Sequence, residues 1–258
     1  MFEGLADTPE AKLWYWDTGG DGEPLVLCHP ASQGCYIWGR QREMFVAAGF
    51  RVIAYARRGY DRSETGEADQ PGTSVGDLVS LLDHIGIDQA HILGAAAGGI
   101  TATGFSVAHG HRTRSLILAG TIVAPAEAEW RTMYAQLGIA DLHGHVPTEF
   151  LELGPTYRAS NPEGTARFGE LSALARTARM QKQPLGVEVT WKTLERMKAP
   201  TLLVTGEADL YAPPPLHALV AEHLMNPRLE TMREVGHAPY WEGPEVFNAI
   251  VLDFLQSL

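Results

Sequence analysis

The sequence predicts an α/β fold: a mostly parallel sheet flanked by helices, with one helical segment inserted into it. Three observations carry that expectation. Short apolar runs bounded by Gly, Pro or polar residues recur along the chain. Segments of helical period lie between them. The alternation breaks once, after Leu118, and resumes at Pro200. Runs too short for a helix, and without strict alternation, have the look of strands covered on both faces. Strand–helix alternation implies right-handed crossovers and a doubly wound sheet. The chain has 258 residues, 45% of them apolar, which suits a single large domain with a sizeable core.

The elements follow in order. Lys12-Leu13-Trp14-Tyr15-Trp16 is rich in aromatics and ends before Gly19-Gly20, which reads as an edge or hairpin strand. Buried strands are expected at residues 25–28, 52–55, 91–93 and 116–118. Val75, Leu78, Leu81, Leu82 and Ile85 share one helical face, and Gly86 is placed to cap that helix. From Thr121 to Trp191 no buried-strand run occurs. Pro125, Pro147, Pro155, Pro162 and Pro184 punctuate this stretch, and Trp130, Met133, Tyr134, Leu137, Phe150 and Leu151 are among its apolar residues. A structureless loop of roughly 70 residues is improbable in a compact domain, so the stretch reads as a helical cap. The expected division is a core of residues 1–120 and 192–258 and a cap of residues 121–191. Leu202-Leu203-Val204 supplies a further strand, and Val246, Ile250, Phe254 and Leu255 mark a final amphipathic helix.

Composition narrows the function classes. Twenty basic residues stand against 31 acidic ones, a formal net charge of -11. Phosphate backbones and anionic membrane surfaces repel such a balance, so neither nucleic acid nor membrane is an expected partner. A small-molecule substrate is. Met1 to Asp7 lack a basic and an apolar leader region, and Cys28 and Cys35 are too few for a disulfide framework. A cytoplasmic location is the expectation. No CxxC, HExxH or clustered His/Cys spacing occurs, so neither metal nor other cofactor is expected. The sequence leaves the oligomeric state open.

The most informative stretch is His91-Ile92-Leu93-Gly94-Ala95-Ala96-Ala97-Gly98-Gly99. A strand runs into a tight turn of small residues and then a helix at 100–109. Gly94 and Gly98 keep the spacing of a G-x-S-x-G nucleophile elbow, with Ala96 at the nucleophile position. Taken locally, the same residues suit a packed βα turn or a phosphate loop, although a dinucleotide fingerprint fits badly without an acidic strand end. Leu202-Leu203-Val204-Thr205-Gly206-Glu207-Ala208-Asp209 then brings an acid onto a strand's C-terminal loop, where ligand sites of open α/β sheets collect. His237 follows Gly236. A lone loop histidine is more often structural, but here the chain order is elbow, acid, histidine.

That order resembles the α/β-hydrolase superfamily, and the resemblance covers nearly the whole chain. Cys28-His29-Pro30-Ala31 looks like its H-G-x oxyanion strand end, with Pro30 replacing glycine. Arg57-Arg58-Gly59-Tyr60-Asp61-Arg62-Ser63 looks like its R-G-x-G-x-S loop, with Asp61 at the second glycine. Gly236-His237-Ala238-Pro239-Tyr240-Trp241-Glu242 also resembles carbon–carbon-bond hydrolases and lactonases of the group. The resemblance implies an α/β-hydrolase fold with an inserted cap. It implies that Asp209 orients His237, that His237 is general base and then acid, and that the N–H groups of Ala31 and Ala97 hold an oxyanion. His29, Ser32, Trp130, Tyr134 and Tyr240 are the expected substrate-binding residues, His29 also anchoring the oxyanion loop. His143 and His145, in a Gly-bearing loop of the cap, are expected in solvent. Neither Ser32 nor Cys35 is the expected nucleophile.

An alanine methyl cannot attack a carbonyl, so the acyl-enzyme route is closed in this chain. Three readings stay open. The chain is an inactivated form of a serine enzyme that hydrolyses a small apolar ester, lactone or vinylogous ketone. Alternatively, a His–Asp pair works without a nucleophile, activating water directly or serving as the base of a lyase, isomerase, decarboxylase or cofactor-free oxygenase. Or the chain is a ligand-binding module without catalysis.

Overall fold

The apolar runs form the parallel centre of one eight-stranded sheet in the computed structural model, which describes residues 1–175 and 182–258. In chain order the strands are β1 (Phe2–Asp7), β2 (Lys12–Asp17), β3 (Pro24–Cys28), β4 (Arg51–Tyr55), β5 (Ala90–Ala95), β6 (Thr113–Ala119), β7 (Thr201–Gly206) and β8 (Arg228–Met232). Their order across the sheet is β1-β2-β4-β3-β5-β6-β7-β8. β1 pairs antiparallel with β2 and β2 antiparallel with β4; the remaining pairs are parallel. From β3 the chain steps one way to β4, then across to β5 on the other side. That reversal is a topological switch point, where open α/β sheets form their ligand crevice.

The helices are α1 (Gly39–Ala47), α2 (Ser74–His84), α3 (Ala97–Ala108), α4 (Ala128–Ala135), α5 (Thr148–Glu152), α6 (Pro155–Ser160), α7 (Pro162–Ala175), α8 (Trp191–Leu194), α9 (Pro214–Glu222), α10 (Pro239–Glu242) and α11 (Pro244–Gln256). Strand side chains alternate between two cores. Leu25, Leu27, Val52, Ala54 and Leu93 pack with Phe45 of α1 and with Phe247, Val251 and Phe254 of α11. Val26, Ile53, Ile92 and Leu116 pack on the other face with Leu78 and Leu81 of α2, Phe105 of α3 and Val220 of α9. Both faces of the central strands are therefore covered, which explains why the sequence shows runs there instead of alternation. Gly86 has φ +68° just past α2, the left-handed conformation expected of a terminating glycine.

Two strands escape the sequence pattern. β1 buries only Ala6, and β8 alternates between partly exposed and exposed until Met232. Both are edge strands without an apolar run. The aromatic strand β2 is accordingly the inner arm of a hairpin, one place in from the edge. α3 starts at Ala97, three residues before the expected Ile100, because its first turn is the elbow itself. Between β6 and β7 the described chain is helical, from α4 to α8. Residues 176–181, within the stretch expected as a cap, lie outside the described residues. No helix among the described residues is long and apolar enough to cross a membrane.

Candidate active site

β5 ends at Ala95, and Ala96 takes φ 46°, ψ −116° before α3 begins. A positive φ on a residue with a Cβ costs about 1–2 kcal/mol. Its neighbours fix the turn. The Ala96 N–H donates to the Ala119 carbonyl at 3.0 Å, and the Thr121 hydroxyl donates to the Ala96 carbonyl at 2.7 Å. Gly94 and Gly98 let backbones meet: a Cβ on Gly94 would lie 2.5 Å from Gly99 Cα, and one on Gly98 2.2 Å from the Cys28 carbonyl oxygen. This tight wedge sets the N-terminus of α3 beside the end of β3. The Ala97 N–H belongs to the first turn of α3, where N–H groups lack intrahelical acceptors and the helix dipole favours negative charge.

Asp209 and His237 come from the ends of β7 and the loop after β8. The Ala208 N–H donates to the Val235 carbonyl at 2.8 Å, and a Cβ on Gly206 would lie 2.1 Å from the Gly236 carbonyl oxygen. The two loops are thus in backbone contact. His237 Nδ1 lies 2.9 Å from Asp209 Oδ1 and 3.0 Å from Oδ2. Oδ1 also accepts the N–H groups of Tyr211 at 2.8 Å and Ala212 at 2.9 Å. Burial pushes the Asp209 carboxyl up, but the facing imidazole and these donors hold it below the ordinary aspartate value. Burial pushes His237 down, and the Asp209 carboxylate more than offsets this, with Glu152 and Glu242 adding in the same direction. The His237 pKa is raised as a result. With Nδ1 committed to the carboxylate, Nε2 is the nitrogen left for chemistry. The Tyr211 ring packs against the imidazole at 4.5 Å between centroids.

A cavity of about 750 Å³ lies against these groups and is lined by Ala31, Ala96, Ala97 and His237 together with Ser32 and Tyr134. His237, the elbow position, the expected oxyanion positions and two of the five expected substrate-binding residues therefore share one chamber, while Asp209 is buried behind the imidazole it faces. The other three substrate-binding residues do not line it. His29 is fully buried and bonds only backbone: its ring nitrogens meet the Pro30 carbonyl at 2.8 Å and the Arg57 N–H at 3.0 Å. Burial lowers its pKa to about 3. It ties the loop that carries Pro30 and Ala31 to Arg57 and does not line the cavity. Trp130 is 2% exposed and packs edge-on against Trp191, while Tyr240 is 1% exposed and packs between Trp38 and Phe247. Both are core residues, because their flat rings are consumed by aromatic neighbours before they can face a ligand. His143 and His145 are exposed, as expected, but they also line the cavity, and His143 Nε2 lies 3.0 Å from the Tyr211 hydroxyl. Cys35 is buried, with its thiol pushed well up by burial and by Asp61, which suits an inert packing residue.

The residue that sequence reading misses is Glu152. It lines the cavity, is 8% exposed, and accepts the Ser32 hydroxyl at 2.6 Å. Its main-chain carbonyl accepts the His237 N–H at 2.7 Å. Glu242, raised by burial to about 7, accepts the N–H groups of Gly236 and Gly154 at 2.9 and 2.8 Å. α5 and the turn after it are thereby tied to the histidine loop from two sides. Among the described residues no cluster of three or more His, Cys, Asp or Glu could hold a metal ion.

Comparison with known proteins bears on the same parts. A 2-hydroxy-6-oxononadienedioate/2-hydroxy-6-oxononatrienedioate hydrolase of Burkholderia vietnamiensis is 29% identical over 98% of this chain and 93% of its own length. A 2-hydroxy-6-oxo-6-phenylhexa-2,4-dienoate hydrolase of Burkholderia cepacia is 28% identical, over 92% of this chain and 89% of its own. Among solved structures, the enol-lactonase of Burkholderia xenovorans has the same fold, with a TM-score of 0.81 at 21% identity, covering 98% of this chain and 100% of that one. The model of the α/β hydrolase family matches residues 25–250, a span that runs from β3 through the elbow, Asp209 and His237 into α11, and the chain belongs to that family.

Proposed function

We propose that this chain hydrolyses a small, largely apolar ester, lactone or vinylogous ketone, with the His237–Asp209 pair acting on water instead of on a serine. One observation carries the reading. The elbow is complete in its backbone, with Ala96 held at φ 46° beside the Ala97 N–H, while a methyl replaces the hydroxyl that would attack. His237 Nε2 takes a proton from water as the water oxygen bonds to the carbonyl carbon. The carbonyl oxygen becomes an oxyanion facing the N–H groups of Ala31 and Ala97. Collapse expels the alkoxide, enolate or carbanion, which receives the proton from the imidazolium. Residues 121–191 act as the cap, since Tyr134, Val146, Leu151 and Glu152 from this segment line the cavity. The hydrolase names of the relatives and the apolar side chains of Ile100, Ile122, Val146 and Leu151 support the substrate class.

A second reading has one observation in its favour. The strained elbow suits a serine better than an alanine, because only a nucleophile needs that presentation. The two readings separate in an esterase assay with an activated enol ester. On the water route the chain turns over, His237→Ala abolishes turnover, and Ala96→Ser gives no large gain. If the chain is inert while Ala96→Ser gains at least about 100-fold with a burst of acyl-enzyme, the covalent route stands and the water route fails. Binding without turnover in either form, unaffected by His237→Ala, marks a ligand-binding module.

A further inference from the structure

A tight turn brings a cation to the loop that carries Ala31. The Tyr60 N–H donates to the Arg57 carbonyl at 3.0 Å, with Gly59 between them at φ +76°. The turn sets the two side chains against each other. The Arg57 guanidinium lies 4.9 Å from the Tyr60 ring centroid and donates to the Tyr60 hydroxyl at 3.0 Å. An arginine can only donate, so the phenol oxygen accepts there and spends its single proton elsewhere. That proton goes to the Ala31 main-chain carbonyl at 2.7 Å. Tyr60 is buried and lines the cavity with Ala31, whereas Arg57 does not line it.

The peptide before Ala31 is held as well. The Arg57 N–H donates to His29 Nε2 at 3.0 Å, which leaves the ring proton on Nδ1, and Nδ1 donates to the Pro30 carbonyl at 2.8 Å. Burial and the Arg57 charge lower the His29 pKa to about 3, so the neutral ring keeps this tautomer at working pH. In a trans peptide the carbonyl and the following N–H point opposite ways, so the Ala31 N–H is turned away from His29. Both peptide planes that meet at Ala31 are therefore gripped, one by His29 and one by Tyr60. Arg57 stands behind both grips, through its backbone and through its side chain.

We infer that Arg57 and Tyr60 are positioning residues of the oxyanion cradle, holding the Ala31 loop in the shape that favours a tetrahedral anion over a planar, neutral carbonyl. The grip on the Ala31 carbonyl starts at a full positive charge, which makes it stronger than a chain of neutral bonds. A donor fixed in advance does not reorganise as charge develops, so the benefit falls on the transition state and not on the bound substrate. The inference rests on the proposed carbonyl chemistry, because the role of Ala31 as an oxyanion donor belongs to that reading.

The test measures two probes by calorimetry: an aryl methylphosphonate monoester, a stable tetrahedral anion, and the matching aryl methyl ketone, planar and neutral. The intact chain binds the phosphonate more tightly. Tyr60→Phe keeps the ring and the Arg57 charge but removes the hydroxyl. Arg57→Gln removes the charge without altering the cavity wall. Each raises the phosphonate Kd by roughly tenfold, the lower end for a hydrogen bond to a charged group, and leaves the ketone Kd within about twofold. The double variant loses little more than either single one, because the two residues act in series. On an activated ester kcat falls by a similar factor, while KM stays within about twofold. An equal loss on both probes is the mark of a turn that only supports the fold, and it overturns the inference. So does a phosphonate affinity that falls in Arg57→Gln but not in Tyr60→Phe, which assigns the effect to the field of the cation alone. A phosphonate preference that survives both variants removes the positioning pair and leaves the cradle standing. If the intact chain shows no such preference, the cradle and the carbonyl-hydrolysis reading fail, and the inference falls with them.

Discussion

Asp209→Asn isolates what the carboxylate contributes to the base. The substitution preserves shape, and the structure dictates how the amide sits. Oδ1 accepts two backbone N–H groups, from Tyr211 at 2.8 Å and Ala212 at 2.9 Å, so the amide oxygen takes that place. The NH2 group then occupies the Oδ2 position, which lies 3.0 Å from His237 Nδ1. The amide oxygen, 2.9 Å from Nδ1, has both lone pairs taken by the two backbone N–H groups, and two donors cannot share the other contact, so Nδ1 becomes the acceptor and the ring proton moves to Nε2. A histidine in that tautomer has no lone pair facing the cavity and cannot take a proton from water. The imidazolium also loses its counter-charge. Tautomer errors of this kind in a His–Asp pair cost about 10⁴ in kcat, or roughly 5 kcal/mol of barrier. Because both backbone bonds survive, the melting temperature should move by only a few degrees. Steady-state kinetics on an activated ester measures the first quantity, and nitrogen NMR of the His237 ring reads the tautomer. Activity within threefold of the intact chain, with the protein folded, would refute the assignment of His237 as a base oriented by Asp209.

Four further outcomes follow from the same geometry. The pH–rate profile should fall tenfold per unit on the acid side, with its inflection above 6.5, because the base must be neutral and its pKa is raised chiefly by Asp209 against burial; an inflection below 6.5 contradicts the dyad's electrostatics. Asp209 works the other way on stability: its lowered pKa stabilises the fold above pH 3.8, and that contribution is lost as pH falls through the folded value, visible as acid unfolding that is less steep in Asp209→Asn. Gly98→Ala places a Cβ 2.2 Å from the Cys28 carbonyl oxygen and 2.6 Å from that of His29, both backbone, so urea unfolding should show a loss of about 3 kcal/mol or more, whereas Gly39→Ala, with no atom within 4 Å, should be neutral or slightly stabilising. Ala96→Gly relieves the positive φ and removes a partly exposed methyl, so stability should rise by roughly 0.5–1 kcal/mol after the entropy of the added glycine is counted; a loss above 1 kcal/mol would mean that the elbow is not strained.

The central strands and the functional loops were legible because each is a local pattern. Residues 25–28 and 202–204 read as buried strands from composition alone, Gly94 and Gly98 flank the strand-to-helix turn at Ala96, and Asp209 and His237 lie in loops that follow strands. What the sequence hid is set by distant partners. Glu152 sits in Phe150-Leu151-Glu152-Leu153, where a carboxylate reads as the wet face of a short helix. Its decisive contact is with Ser32, 120 residues away. Trp130 and Tyr240 carry the opposite error. Large aromatics near a predicted site suggest a binding wall, yet Trp191, Trp38 and Phe247 bury them in the cores. β1 and β8 lack an apolar run because an edge strand covered on one side needs none.

The elbow keeps its shape without a nucleophilic side chain. Nothing that holds Ala96 in place depends on its side chain. The Ala119 carbonyl and the Thr121 hydroxyl grip its backbone, and the close approaches at Gly94, Gly98 and Gly99 leave the turn no other path. The direction of the Ala97 N–H is a consequence of that path, so the proposed oxyanion donor does not depend on which small residue stands at position 96. The dyad is anchored separately: it hangs on β7 and the β8 loop and is tied to α5 through Glu152, and among the described residues no hydrogen bond joins it to the elbow. A site assembled from separately anchored parts needs no side chain at position 96 to keep the proposed base, the proposed oxyanion donors and the chamber in register. Those three are what the proposed water attack on an activated carbonyl requires, and Ala96 lines the same chamber as His237 and Ala97.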